Sequence, residues 1–362
     1  MKRVATITYS WSQNWGAILQ TYALNEFLVR SGYPAEIINY RNFDEKIINT
    51  VKSVPDGISC LLHYGQGKKR IEKFNEFRSN VLRLTEGKYL NEEELRAVND
   101  QFDVFITGSD QIWNIGRGVN RNFYLHFADD SKTKLSYAGS FGVSEIPPEH
   151  REATLKGLKN LDHISVREES GARIVESFLG VTPSVVVDPV FLLSGKQWEE
   201  VCDYTGADKP RKPYIFVYPT QVTPLLKETV RYYRKKYHWD VISPFYIGTG
   251  KVRKDIGPLE FVSLIRNARL VIGSSFHALA FSLIFEKDFL VIPHTSTGSR
   301  VRDLATRLNL SDRIITESDS IAGSVGNVDY SEARPVIRKM ISDSKEWLLN
   351  AIESGKNVGV TK

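Results

Sequence analysis

A chain of 362 residues exceeds what one core of usual size needs, because domains run roughly 100 to 200 residues, so two domains are expected. Hydrophobic residues make up 41% and charged residues 25%, which is enough apolar material for ordinary cores and excludes a mainly disordered chain. The formal net charge of +5 is spread along the sequence instead of gathered into a dense basic stripe, which argues against a nucleic-acid binder and fits anionic small molecules or anionic glycans.

Val4 to Thr8 reads as a buried strand, Ser10 to Asn14 as a turn, and the next stretch, with Ala17, Leu19, Tyr22, Ala23, Phe27 and Leu28, as a helix stopped by Ser31-Gly32. Ala35 to Asn39 is a second strand, so the chain opens with a βαβ unit and a parallel sheet follows. The basic run Lys68-Lys69-Arg70 stands before Ile71, Phe74, Phe77 and Val81 and reads as a solvated helix end. Short apolar runs at Asp103 to Thr107, Leu135 to Ala138, His163 to Val166 and Ser184 to Val187 supply further strands. A first domain over 1–193 closes after Asp188-Pro189, with the polar stretch Ser194 to Arg211 as connector.

Alternation restarts in a second domain over 194–330. Strands are expected at Tyr214 to Tyr218, Val241 to Ser243, Leu270 to Ile272 and Phe289 to Ile292, with helices at Gln221 to Lys236, Pro258 to Asn267, Phe276 to Phe285 and Ser299 to Leu308. A last helix, Pro335 to Ile352 within 331–362, is expected to pack back on the first domain. The fold class is therefore α/β, with two Rossmann-like domains.

Cys60 and Cys202 are far apart and outside any CxxC spacing, so neither a disulfide framework nor a zinc site is expected. No hydrophobic signal core follows Met1. Arg269 to Phe289, the most apolar later stretch, is interrupted by Ser274-Ser275, His277 and Glu286-Lys287-Asp288, which a membrane span of about 20 residues does not tolerate. The expectation is a cytoplasmic chain for which a peripheral place at the inner face of the membrane stays open.

In open parallel sheets ligands bind outside the carboxyl ends of strands, which singles out three corners. Asn14-Trp15-Gly16 opens the first helix: Gly16 would let a ligand approach the backbone and the helix end favours an anion, or else the segment is a tight turn with Trp15 as cover. Gly108 to Asn114 follows a strand and carries Ser109, Asp110, Gln111, Trp113 and Asn114, a set able to bond sugar hydroxyls and offer an apolar face. Ser109 or Asp110 could equally be an N-cap. Gly273-Ser274-Ser275 leads into a helix whose first turn holds His277; the amides could hold a phosphate or carboxylate and His277 could move a proton, or it could be a core histidine beside Ala280, Phe281 and Ile284. Arg167 and Arg300 could add positive charge, as planar forks suited to carboxylate or phosphate, or could face solvent. Neither GxGxxG nor GxxxxGK[ST] occurs.

Taken in order, Asn14-Trp15-Gly16-Ala17-Ile18-Leu19-Gln20, Gly108 to Asn114, Ser165-Val166-Arg167-Glu168-Glu169-Ser170-Gly171, Val187-Asp188-Pro189, Ser275-Phe276-His277-Ala278 and Gly298-Ser299-Arg300 resemble the polysaccharide pyruvyltransferases. The resemblance runs from residue 3 to about 310. It implies a fold similar to glycosyltransferase type B, with two Rossmann-like domains facing a cleft, and transfer of a pyruvyl group from phosphoenolpyruvate to a glycan or lipid-linked sugar as a ketal. Phosphoenolpyruvate would be a co-substrate, with no cofactor, metal or nucleic acid called for. Carried over by position, Arg167 would bind the donor and His277 would be the acid/base, with Arg300 near the donor. Many members have Arg-Leu-His or Arg-Phe-His where this chain has Ser275-Phe276-His277, so another cation or neutral hydrogen bonds must serve the donor; Ala278 replaces a common Gly. A nucleotide-sugar glycosyltransferase and a catalytically silent glycan-binding relative are the alternatives.

Overall fold

The computed structural model describes residues 1–41, 57–204, 210–293, 299–316, 321 and 327–355. The chain divides into two compact units, the first made of Met1–Lys52, Arg78–Leu192 and Lys339–Lys362, the second of Ser53–Phe77 and Leu193–Arg338.

The first unit is built on a six-stranded sheet of order β2-β1-β3-β4-β5-β6, all pairs parallel. The strands are β1 (Val4–Ile7), β2 (Ala35–Ile37), β3 (Val104–Thr107), β4 (Thr133–Gly139), β5 (His163–Val166) and β6 (Ser184–Val185). Every residue of β1, β3 and β4 is buried, as expected of strands covered on both faces. Helix α1 (Trp15–Arg30) starts where the Asn14 side chain accepts from the Ala17 amide and ends at Ser31 before Gly32, whose φ of 96° suits glycine. It is buried from Trp15 to Leu28, which explains why its sequence shows no single apolar stripe. Helix α2 (Gly57–Asn80) follows, then α3 (Pro148–Lys159) and α4 (Glu169–Leu179).

The second unit carries a five-stranded parallel sheet of order β11-β10-β7-β8-β9. Its elements in chain order are α5 (Gly195–Tyr204), β7 (Tyr214–Tyr218), α6 (Pro224–Tyr237), β8 (Asp240–Ser243), β9 (Lys251–Val252), α7 (Pro258–Asn267), β10 (Leu270–Gly273), α8 (Phe276–Ile284), β11 (Phe289–Val291) and α9 (Ser299–Arg307). The period-two alternation of β7 sends Phe216 and Tyr218 to an aromatic layer with Phe261 and Phe281, while Ile215 and Val217 pack with Leu226, Val230 and Tyr233. A final helix, α10 (Ala333–Ser354), has its residues from Lys339 onward in the first unit.

Three features differ from the sequence reading. Ser53–Phe77 belongs to the second unit although it precedes most of the first: Gln66 accepts from the Lys254 amide at 2.9 Å, and Lys73 pairs with Glu260. The run Lys68-Lys69-Arg70 lies inside α2, not at a helix end, and Arg70 is half-buried. The two-residue β9 was not expected, because so short an edge strand carries no periodicity to read.

Trp198 of α5 is fully buried, edge-on to Phe281 with ring centroids 5.0 Å apart. Trp198→Ala should cost about 3–5 kcal/mol by leaving a cavity, read as a lower urea midpoint at unchanged slope.

Candidate functional site

The strand orders place one reversal point in each sheet. In the first unit the chain runs from β1 to β2 on one side and then to β3 on the other, so the crevice lies outside the carboxyl ends of β1 and β3. In the second it runs from β7 to β8 and β9, then returns to β10 on the far side, so the crevice lies outside β7 and β10. The β1, β3 and β10 corners are the three that the sequence singles out.

At the first edge a buried polar network holds the two loops together. Gln20 Nε2 donates to Thr8 Oγ1 at 3.1 Å, Gln20 Oε1 accepts from the Ser109 amide at 3.0 Å, and Thr8 Oγ1 donates to the Ser109 carbonyl at 3.1 Å. Arg78, at the end of α2, donates to the carbonyls of Ser10, Trp11 and Ser12 at 3.0, 3.0 and 2.7 Å. Burial, with the nearby Arg41 charge, lowers the Arg78 guanidinium to a pKa of about 10. Neither Gln20 nor Arg78 declares a site role in sequence; their work is to satisfy loop groups that would otherwise be buried unpaired.

Several expected acceptor contacts turn out to be structural. Trp113 is buried, donates from Nε1 to the Phe123 carbonyl at 3.0 Å and stacks on Tyr124 at 5.4 Å and 8°. A Cβ on Gly139 would come within 2.8 Å of its ring. Trp113 therefore offers no face to a sugar. Ser109 is equally buried, with its hydroxyl donating to the Ala138 carbonyl at 2.8 Å. Trp15 is a core residue, Gly16 is buried inside the first turn of α1, and Asn14 is exposed but serves as the N-cap. Asp110, Gln111 and Asn114 remain partly accessible: Asn114 Nδ2 donates to Gln111 Oε1 at 3.0 Å, and Asp110 is held at φ 70° with a side chain 23% exposed.

Arg167 lies at the same edge, after β5, with a side chain only 2% exposed. It pairs with Asp188 at 2.8 Å, Glu168 at 3.5 Å and Asp110 at 3.7 Å. Burial works against its charge, but Asp188, Glu168 and Asp110 outweigh it, and the net effect raises its pKa. Glu168 Oε1 also accepts from the Ser140 hydroxyl at 2.6 Å, and Asp188 Oδ1 from the Val190 amide at 3.1 Å. Arg167 is expected from the sequence to bind the donor's anion; the three carboxylates around it reduce its net attraction for one. Glu168 and Asp188 stand inside motifs read from sequence, but only the fold shows that they converge on Arg167.

At the second edge Ser275 is the N-cap of α8 without a side-chain bond to the first turn, and the first backbone bond of the helix runs from Leu279 to the Ser275 carbonyl. The positive end of α8 thus opens at the reversal point. His277 sits in this turn, 9% exposed, with its ring edge-on to Phe276. Two residues expected at the donor site have contacts within the sheet. The Ser274 amide donates to the Tyr218 carbonyl at 3.3 Å, while its hydroxyl accepts from the Thr220 amide at 2.7 Å and lies 2.8 Å from the Thr220 hydroxyl, so its polar groups brace β10 against β7. Gly273 is small for packing: a Cβ there would lie 2.8 Å from the Tyr218 carbonyl. The side chain of Arg300 lies outside the described residues. Arg70, read from sequence as part of a solvated helix end, is half-buried; burial pushes its guanidinium pKa down while interaction with Tyr218 opposes the shift. Among the described residues no group of three or more His, Cys, Asp or Glu side chains is placed to hold a metal, and no helix is long and apolar enough to cross a membrane.

A family model described as polysaccharide pyruvyl transferase matches residues 14–296. No curated protein matches the chain in sequence at a significant level. Among solved structures, UDP-GlcNAc 2-epimerase from Methanocaldococcus jannaschii is similar at 10% identity and TM-score 0.55, covering 94% of this chain and 100% of the epimerase. UDP-GlcNAc 2-epimerase from Neisseria meningitidis bound to UDP-GlcNAc is similar at 11% identity and TM-score 0.52, covering 98% and 100%. At such identities the likeness establishes the fold, that of glycosyltransferase type B proteins.

The carboxylate ring makes Arg167 a stability residue. Arg167→Met should cost about 3–5 kcal/mol, because it strands buried carboxylates, and much of that loss should return in Arg167→Met/Asp188→Leu. Urea unfolding of both variants checks this; an unchanged midpoint in the single variant would contradict it.

Proposed function

Because the chain belongs to the polysaccharide pyruvyl transferase family, we propose that it transfers a pyruvyl group from phosphoenolpyruvate to a sugar of a polysaccharide or lipid-linked glycan, closing a ketal across two hydroxyls. The observation that carries the chemistry is His277 in the first turn of α8, at the reversal point of the second sheet. A helix N-terminus favours the donor's phosphate and carboxylate, and an imidazole exchanges protons near neutral pH. Arg70, half-buried on α2 and interacting electrostatically with Tyr218 at the end of β7, would be a cation for this edge.

In the proposed reaction His277 protonates the methylene carbon of phosphoenolpyruvate, leaving the adjacent carbon electron-poor. A sugar hydroxyl adds there and loses its proton; the bond from that carbon to the phosphate oxygen breaks and inorganic phosphate leaves. A second hydroxyl of the same sugar adds in its place, gives its proton to the departed phosphate and closes the ring. The preorganised dipole of α8 stabilises the donor's charges through these steps. Asp110, Gln111 and Asn114 suit the acceptor, since carboxylate and amide oxygens accept from hydroxyls and amide nitrogens donate to them. The first edge, with three carboxylates around one guanidinium, favours hydroxyl groups over an anion.

Two measurements test the reading. Phosphate release from phosphoenolpyruvate, matched by a carboxylated glycan product, should fall by about 10²- to 10⁴-fold in His277→Ala with the urea midpoint retained; full activity would remove His277 from the mechanism. In thermal melts phosphoenolpyruvate at about 100 times its Kd should add about 2.7 kcal/mol of stability. Stabilisation by UDP or GDP alone would favour a nucleotide-sugar glycosyltransferase, and glycan binding without turnover of any donor would favour a silent relative.

A further inference from the structure

The amino ends of β7 and β8 lie at the opposite end of the second sheet from α8 and His277. Two adjoining cavities open there, of about 720 Å³ and about 420 Å³. Tyr214 and Asp240, the first residues of β7 and β8, both line the larger, and Arg234 and Asp240 line both. Arg211, Lys212, Lys251 and Arg253 complete the cationic lining of the larger cavity, and Arg231 and Lys235 that of the smaller.

Among the described residues no carboxylate forms an ion pair with Arg211, Lys212, Arg231, Lys235 or Lys251, whereas surface cations elsewhere do pair, as Arg334 with Glu286 and Lys339 with Asp343. Arg253 is paired with Asp255, and Arg234 bonds the Thr249 hydroxyl. Arg234 and Lys235 at the end of α6 also complement the helix dipole, an effect confined to the last turn. It does not account for Arg211, Lys212 and Lys251, which reach the same groove from the β7 and β9 segments. Like charges brought together from several segments repel unless an anion lies among them.

The smaller cavity is also lined by Trp239, partly buried, whose ring is held in place by stacking on Tyr237 at 4.4 Å and 17° and by packing against the core. We infer that this groove binds a linear, carboxylate-bearing glycan, with the arginines and lysines taking the carboxylates and Trp239 the apolar face of a sugar ring. The larger cavity falls within the span of about 300–1,000 Å³ usual for ligand clefts. Its concavity suits a chain and not a flat bilayer, and the groove's two lining aromatics, of which Tyr214 is buried, are a poor match for the successive stacking platforms that single-stranded nucleic acid uses. The site is separate from the ketal-forming edge and does not rest on the reaction assigned to it.

The test uses the full chain and titrates size-defined oligogalacturonate, which carries one carboxylate per sugar, against its methyl-esterified form, phosphatidylglycerol vesicles and a single-stranded oligonucleotide. Oligogalacturonate should bind, weaken as salt rises from about 0.05 M to about 0.3 M, and lose about tenfold in affinity in Arg231→Ser/Lys235→Ser/Lys251→Ser with the melting temperature retained. Trp239→Ala should weaken binding several-fold without changing its salt dependence. His277→Ala should bind as the parent chain does, so failure of ketal formation and failure of the groove are told apart. Equal binding of the esterified form, unchanged affinity in the triple variant, or tighter capture of vesicles or oligonucleotide through the same three residues would each overturn the assignment.

Discussion

Taking a guanidinium out of water is costly unless several oxygens replace its hydration, and at Arg167 they come from residues far apart in sequence. Asp110 follows β3, Glu168 follows β5 and Asp188 follows β6, so their convergence on one cation, at 2.8 to 3.7 Å, ties three loops together at the carboxyl edge of the first sheet. Ser140, after β4, joins through Glu168. Gln20 and Arg78 do the same for the loops after β1 and β3. The partly accessible side chains Asp110, Gln111 and Asn114 are thus carried on loops with few conformational choices, a condition for any site that must orient two hydroxyls of one sugar.

The parts of this fold legible in sequence are those governed by local chemistry. Apolar runs such as Val104–Thr107 and Tyr214–Tyr218 have room for few structures other than buried strands, and Asn14 announces α1 as an N-cap. What sequence does not reveal depends on which way a side chain turns. Trp113 stands among polar residues after a strand, as a sugar-stacking residue would, but the missing Cβ of Gly139 and the ring of Tyr124 draw it into the core. The same holds for Ser274, whose hydroxyl is taken up by Thr220. The long-range assignment of Ser53–Phe77 to the second unit is likewise invisible, since contacts such as Gln66 with Lys254 span 188 residues.

Arg70 shows how that reassignment bears on chemistry. Read along the chain, Lys68-Lys69-Arg70 is a surface run in the first half. Once α2 is docked on the second unit, the third of these residues comes under the influence of Tyr218, whose strand ends beside Ser274 and the start of α8. A cation near the end of β7 can therefore come from an element that the linear sequence places elsewhere, so a departure from a family pattern at one position does not by itself fix the charge of the region.

The small net charge of the chain conceals a division of labour that averages out in composition. One edge of the first sheet concentrates carboxylates around a single guanidinium, while the amino end of the second sheet gathers cations with Asp240 as the lining carboxylate. Such segregation has an electrostatic cost in each place and persists only where something offsets it. In the first unit the offset is internal, because Arg167 lies inside the carboxylate ring. In the second the cations lie mostly exposed on a concave surface, and water and salt screen them without saturating them. A polymer bearing regularly spaced carboxylates would relieve that repulsion at several points along one chain, giving retention through many weak contacts while His277, at the other end of the same sheet, is left clear for a small anion.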